Sequence, residues 1–191
     1  GGQEKEYLVK IVQVINTIVE SDLAVLSGFS AGTAFKIKKL LGILSESVPF
    51  KPNIANLARK LDASRDSVYD WMTLLERARL LNLLISEGKS TSMLQKPEKI
   101  YLENPNLAHA LKNIPETGNI RETFFLNQLI NAGMLVFATE TGDFKTDKFL
   151  IEVGGKNKPA SKPSENYLVA ADNIENGFNN KIPLWLFGFL Y

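Results

Sequence analysis

The stretch NIANLARKLDASRDSVYDWMTLLERAR, residues 53–79, constrains the fold most. Ile54, Leu57, Ala58 and Leu61 recur at helical spacing and form one apolar stripe. Val68, Trp71, Met72, Leu75 and Ala78 form a second. Asp62-Ala63 leaves room only for a tight turn between them. Ser64 follows as an N-cap, a residue whose side chain accepts a bond from a free backbone N–H. A short helix, a tight turn and a longer second helix make the helix-turn-helix pattern.

The flanking segments extend that pattern. Leu8, Ile11, Val12, Ile15 and Ile18 predict a helix over 4–21, and Ser30 can cap a second over 30–47. Leu80–Ser86 and Lys99–Leu102 read as strands around a polar tip, Glu87–Pro97, and a hairpin there is the wing of a winged helix. The same stripes also suit a helical bundle with a plain hairpin. In a winged helix the second helix of the pair enters the major groove and the wing meets the backbone. The candidate nucleic-acid residues are therefore Arg65, Ser67, Tyr69, Thr73 and the wing's Lys89, with Lys158 on a later basic loop. Asp66 and Asp70 on the same helix would repel phosphate. From Lys51 to Tyr101 there are nine basic and six acidic residues, a surplus of three, so binding by this unit alone is expected to be weak and salt-sensitive.

Composition excludes several chemistries. The chain has no cysteine and one histidine, His109, which rules out disulfides, thiolate zinc sites and multi-histidine centres. A cytoplasmic location is compatible with that usage. No apolar stretch approaches the ~20 residues of a membrane span. The opening Gly1-Gly2, without methionine, reads as the start of a fragment of a longer protein, and IPLWLFGFLY reads as its C-terminus. Trp185, Phe187, Phe189 and Tyr191 in that tail are expected to be core.

A polar connection near Pro115–Gly118 divides the chain into 1–115, a helical and winged-helix domain, and 116–191. The second part predicts a helix over 119–132, strands over 134–139, 142–147, 148–153 and 167–171, and a helix over 181–190. In GDFKTDKFLIEVGGKNK, residues 142–158, a hairpin tip near Asp147-Lys148 sets Asp143 almost opposite Glu152. Cross-strand neighbours lie about 5 Å apart, within reach of one cation. Magnesium keeps several waters and needs few protein ligands, so Asp143 and Glu152 are the candidate ligands for Mg or Mn. The other reading of Glu152 is a strand end where it meets solvent or pairs with Lys145 or Lys156.

Taken together, SRDSVYDWMTLLERARLLNLL, KPEKIYLENPNLAHAL, GNIRETFFLNQL, GDF…FLIEVGGKNK and NKIPLWLFGFLY resemble the C-terminal region of a family of bacterial and archaeal AAA-type ATPases, from about residue 30 onward. The resemblance implies an α+β chain: a winged helix followed by a small α/β domain like the PD-(D/E)XK (restriction-endonuclease-like) nucleases. It also implies an ATPase module N-terminal to this chain, which would carry the ATP, since no GxxxxGK[ST] loop occurs here. It adds Glu122, in IRETFF, as a third acid of the site. Glu122 also suits the first turn of a helix. One departure stands out. The acid–x–Lys pattern wants lysine at 154, where this chain has Gly154, so Lys156 is the expected catalytic lysine, curling back across Gly154-Gly155 in a site that is active or degenerate. Three functions follow: a DNA-associated accessory region of the ATPase that binds rather than cuts, an active Mg- or Mn-dependent nuclease, or a protein-interaction platform.

Overall fold

The computed structural model describes residues 2–46, 49–88, 96–112, 114–159 and 166–191. The chain is α+β, with a helical N-terminal part, and divides into two units. The first comprises Gly1–Leu83 and Ser90–Pro115; the second comprises Leu84–Lys89 and Glu116–Tyr191. Among the described residues no helix is long and apolar enough to cross a membrane.

In the first unit, α1 (Gly2–Thr17) runs through a π-helical turn (Ile18–Asp22) into α2 (Leu23–Ser27). Helix therefore continues beyond the expected end and stops at Gly28, whose φ of 66° suits a residue without a Cβ. Next is α3 (Ala31–Ser45), where the Ser30 side chain accepts the Thr33 N–H as predicted. Asn53 caps α4 (Ile54–Leu61) and Ser64 caps α5 (Arg65–Arg77), accepting the N–H groups of Asn56 and Ser67. The turn between α4 and α5 holds Asp62 at φ 48°. The stripes read from sequence are the buried ones: Leu57 and Leu61 on α4, Val68, Met72 and Leu75 on α5; Ile37, Leu40 and Leu44 of α3 are buried as well.

Strands β1 (Leu81–Leu84) and β2 (Lys99–Leu102) form a two-stranded sheet, and Phe50 bridges Ile100 antiparallel. The elements run in the order α3, Phe50 bridge, α4, α5, β1, β2. Most of the expected wing tip, with Lys89, lies outside the described residues. Helix α6 (Pro105–Leu111) follows, capped by Asn104 with Pro105 in its first turn.

The second unit sets α7 (Thr117–Asn131) beside a four-stranded sheet of order β3-β4-β5-β6. The strands are β3 (Phe144–Lys145), β4 (Leu150–Gly154), β5 (Tyr167–Ala171) and β6 (Lys181–Pro183). The β3–β4 pair is antiparallel; β4–β5 and β5–β6 are parallel. Phe125 of α7 anchors the core. Its ring lies 5.7 Å from that of Phe144 and meets Phe187 edge-on at 4.6 Å.

Three expectations are corrected here. Residues 134–139 make no strand: only Phe137 and Ala138 form isolated bridges, to Lys145 and Ser86. The segment 181–190 is not one helix but β6 followed by a 3-10 helix, Leu184–Phe189. The aromatic tail is also not all core. Leu184 and Phe187 are buried, but Trp185, Phe189 and Tyr191 are 53%, 77% and 69% exposed. A 3-10 turn carries three residues per turn, so Leu184 and Phe187 share the inward face and the alternate rings cannot join them.

Candidate functional site

The β3–β4 hairpin brings the two acids together as the sequence predicts. Phe144 pairs with Ile151 and Lys145 with Leu150, so Asp143 stands opposite Glu152 in that register. The tip is tied by Thr146, whose backbone N–H donates to the Phe149 carbonyl and whose hydroxyl oxygen accepts the Phe149 N–H. The Asp143 N–H donates to the Ile151 carbonyl at 3.0 Å, and its carboxylate Oδ2 accepts the Val153 N–H at 2.7 Å. That carboxylate is thus held by the strand it serves. Glu152 lies on β4, on the face it shares with Leu150 and Gly154.

The lysine that reaches the two acids is Lys158; Lys156 does not. Lys158 Nζ lies 2.6 Å from Glu152 Oε2 and 3.7 Å from Asp143 Oδ2. All three side chains are less than a third exposed. Burial pushes the Lys158 pKa down, but the hydrogen bond to Glu152 and the charges of Asp143, Glu152 and Glu122 outweigh it and hold the ammonium above the usual lysine range. Lys158 is therefore a cation at neutral pH, not a base. Glu122, on α7, acts on it through charge. Lys156 is exposed, and its backbone carbonyl accepts a bond from Lys181 Nζ at 3.0 Å.

Gly154 explains the exchange of lysines. A Cβ at 154 would lie 2.8 Å from Lys158 Cδ and 3.0 Å from its Cβ and Cγ. The Lys158 stem fills the space that a residue-154 side chain would occupy. The ammonium is thereby delivered to the acids from four residues downstream, after the turn 155–157. The sequence signal was available: a glycine where lysine is wanted, followed by several lysines within one loop. Choosing among those lysines required the path of the turn.

The pair suits a hard divalent cation in its chemistry. Two carboxylates on opposed strands already hold one positive charge between them. Among the described residues no group of three or more His, Cys, Asp or Glu converges to hold a metal ion, so Asp143 and Glu152 would serve as a pair with water filling the remaining positions.

In the first unit the candidate contact residues are distributed along α5. Arg65 is exposed, as are Asp66 and Asp70; Tyr69 is half-buried. The hydroxyls of Ser67 and Thr73 are used locally: Ser67 Oγ meets Ser64 Oγ at 2.8 Å, and Thr73 donates to the Tyr69 carbonyl at 3.0 Å. Lys158, expected on a nucleic-acid-binding loop, lies in the carboxylate cluster.

The chain thus combines a helical unit bearing a two-stranded sheet with an α+β unit carrying a carboxylate–ammonium cluster. It belongs to the family of a domain of unknown function, DUF8612, whose model matches residues 2–118. The carboxylate cluster lies C-terminal to Thr123 apart from Glu122, outside the matched span. No match is found among curated proteins, and none among solved structures.

Proposed function

We propose that this chain is a DNA-associated accessory region of a larger AAA-type ATPase, and that its second unit is a PD-(D/E)XK-like site for divalent-cation-dependent phosphodiester hydrolysis. The observation that carries the reading is Lys158 Nζ at 2.6 Å from Glu152 and 3.7 Å from Asp143, its stem lying over Gly154. That arrangement supplies the lysine that the acid–x–Lys pattern lacks at 154. A magnesium or manganese ion on Asp143 and Glu152 would polarise a phosphoryl oxygen and lower the pKa of a bound water. The protein's own part is to fix the two carboxylates and hold a protonated Lys158 where negative charge develops on the phosphate. The winged-helix unit would contribute weak, salt-sensitive contacts through Arg65 and Tyr69. Action beside the chain's own ATPase module, in a reducing cytoplasm, accords with the absence of cysteine.

A second reading, binding without cutting, is favoured by one feature: Lys158 already neutralises the acids, so the site holds its charge without a metal. Incubating plasmid and single-stranded DNA with Mn²⁺ separates the two, with Asp143→Asn as control. The substitution keeps an oxygen to accept the Val153 N–H while removing the charge. Cleavage by the parent and not by the variant supports hydrolysis. Binding with no cleavage by either leaves the accessory reading, and equal cleavage by both rejects Asp143 as part of the site.

A further inference from the structure

Beside the carboxylate cluster is a cavity of about 540 Å³ lined by Arg121, Gly155, Lys156, Asn157, Lys158 and Asn173. Three of the six are cations, two are amides and none is an acid. Arg121 is the best-fixed group. Its Nε donates to Asp172 Oδ2 at 2.8 Å, and the side chain is only 20% exposed. Asp172 is itself anchored: its N–H donates to the Gly154 carbonyl at 2.8 Å, and its Oδ1 accepts the Asn173 N–H at 2.8 Å. The end of β5 thus locks the guanidinium against the Gly154-Gly155 turn. Asp172 engages the Nε edge, leaving Nη1 and Nη2 directed along Gly155. A Cβ at 155 would lie 3.4 Å from Nη1 and 3.7 Å from Nη2. Glycine there keeps the fork open to the cavity.

A guanidinium held by one edge, with its donors presented beside the exposed Lys156, is a geometry matched to the oxygens of a phosphate. We propose that this cavity binds a phosphate group of a nucleic-acid strand, with Arg121 as the anchoring residue. The inference rests on the nucleic-acid reading above but not on cleavage. The phosphate has two possible sources, a strand terminus or an internal diester of the backbone. In either case the cavity would hold a phosphate next to the one facing Asp143 and Glu152, fixing the register of the strand on the cluster.

The test uses the whole chain and fluorescence anisotropy, with EDTA present so that no strand is cut. Probes are one short single-stranded DNA carrying a 5′-phosphate, a 3′-phosphate or neither. Arg121→Gln removes the charged fork and should weaken binding about tenfold or more. Gly155→Asp keeps the Arg121–Asp172 pair but places a carboxylate at the open edge, and the same loss is expected. Both variants should retain the parent's circular dichroism spectrum and cooperative melting. Loss confined to one phosphorylated probe assigns the pocket to a strand end. Equal loss on all three probes, with a shallower salt dependence, assigns it to an internal phosphate. Parent-like affinity of a folded Gly155→Asp variant for every probe overturns the proposal, as does failure of the parent to bind any of them. The Mn²⁺ cleavage experiment is independent: a parent that binds through Arg121 yet cuts nothing keeps the pocket and loses the nuclease.

Discussion

Replacing Lys158 with Met tests the cluster most directly. Methionine preserves an unbranched apolar stem over Gly154 and deletes the ammonium. At 2.6 Å from Glu152 and an effective dielectric of about 20, the pair's gross attraction is about 6 kcal/mol. Desolvation of two half-buried groups and lost side-chain freedom cancel most of that. The expected net loss is about 1–2 kcal/mol, including the new repulsion between Asp143 and Glu152. For a chain of this size that corresponds to a fall in melting temperature of about 2–8 °C. The assay is thermal melting followed by circular dichroism, first in EDTA and then with Mg²⁺, Mn²⁺ or Ca²⁺. A cation on the two carboxylates replaces the missing charge, so the variant should recover more melting temperature from divalent ions than the parent, in which Lys158 competes for the same oxygens. Two results together would falsify the reasoning: a variant that melts like the parent in EDTA, and one that gains no more than the parent from divalent ions. The cluster would then be a solvated ion pair and not a cation site.

Further predictions concern the scaffold. Phe187→Ala, which removes the ring packed against Phe125, should cost about 3–5 kcal/mol, whereas Trp185→Ala, on the exposed side of the same 3-10 turn, should change stability by less than about 0.5 kcal/mol; chemical denaturation resolves the two. Ser64→Ala removes the acceptor of the Ser67 N–H and should cost about 1 kcal/mol, with Ser64→Gly losing only a few tenths. Glu76 gives a pH signature. Burial pushes its carboxyl above the ordinary value of 4.5, against the opposing hydrogen bond from the Leu83 N–H. A folded pKa above the unfolded one means the native state binds the proton more tightly. The contribution is therefore fully present below pH 4.5 and disappears as pH rises through the folded pKa. Glu76→Gln should raise the melting temperature at neutral pH, with a benefit that shrinks as pH falls through the folded pKa toward 4.5 and is gone below it; a benefit independent of pH contradicts this account.

Much of the architecture was legible in the chain because it depends on neighbours in sequence. Ser30 and Ser64 cap their helices through bonds three residues away. The α4 and α5 stripes follow from helical periodicity alone. The Asp143–Glu152 juxtaposition follows from the hairpin tip, since a turn fixes the register of the strands it joins. Where reading by segment fell short, distant packing had intervened. Phe137 and Ala138 have strand-like composition but find only single bridging partners. The aromatic tail had the composition of a core, yet its 3-10 geometry turns Trp185 and Phe189 outward.

The sequence by itself determined the helix-turn-helix pair with its caps, the hairpin that opposes two acids, and the exclusion of cysteine and histidine-rich chemistry. These follow from local geometry and from which atoms are present. Tertiary structure alone decided that Lys158 and not Lys156 meets the acids, and that Arg121 is aimed past Gly155 by Asp172. Both outcomes depend on where the turn after β4 travels. That path is set by the Asp172–Gly154 hydrogen bond to the neighbouring strand and by the space left at Gly154, contacts between residues far apart along the chain.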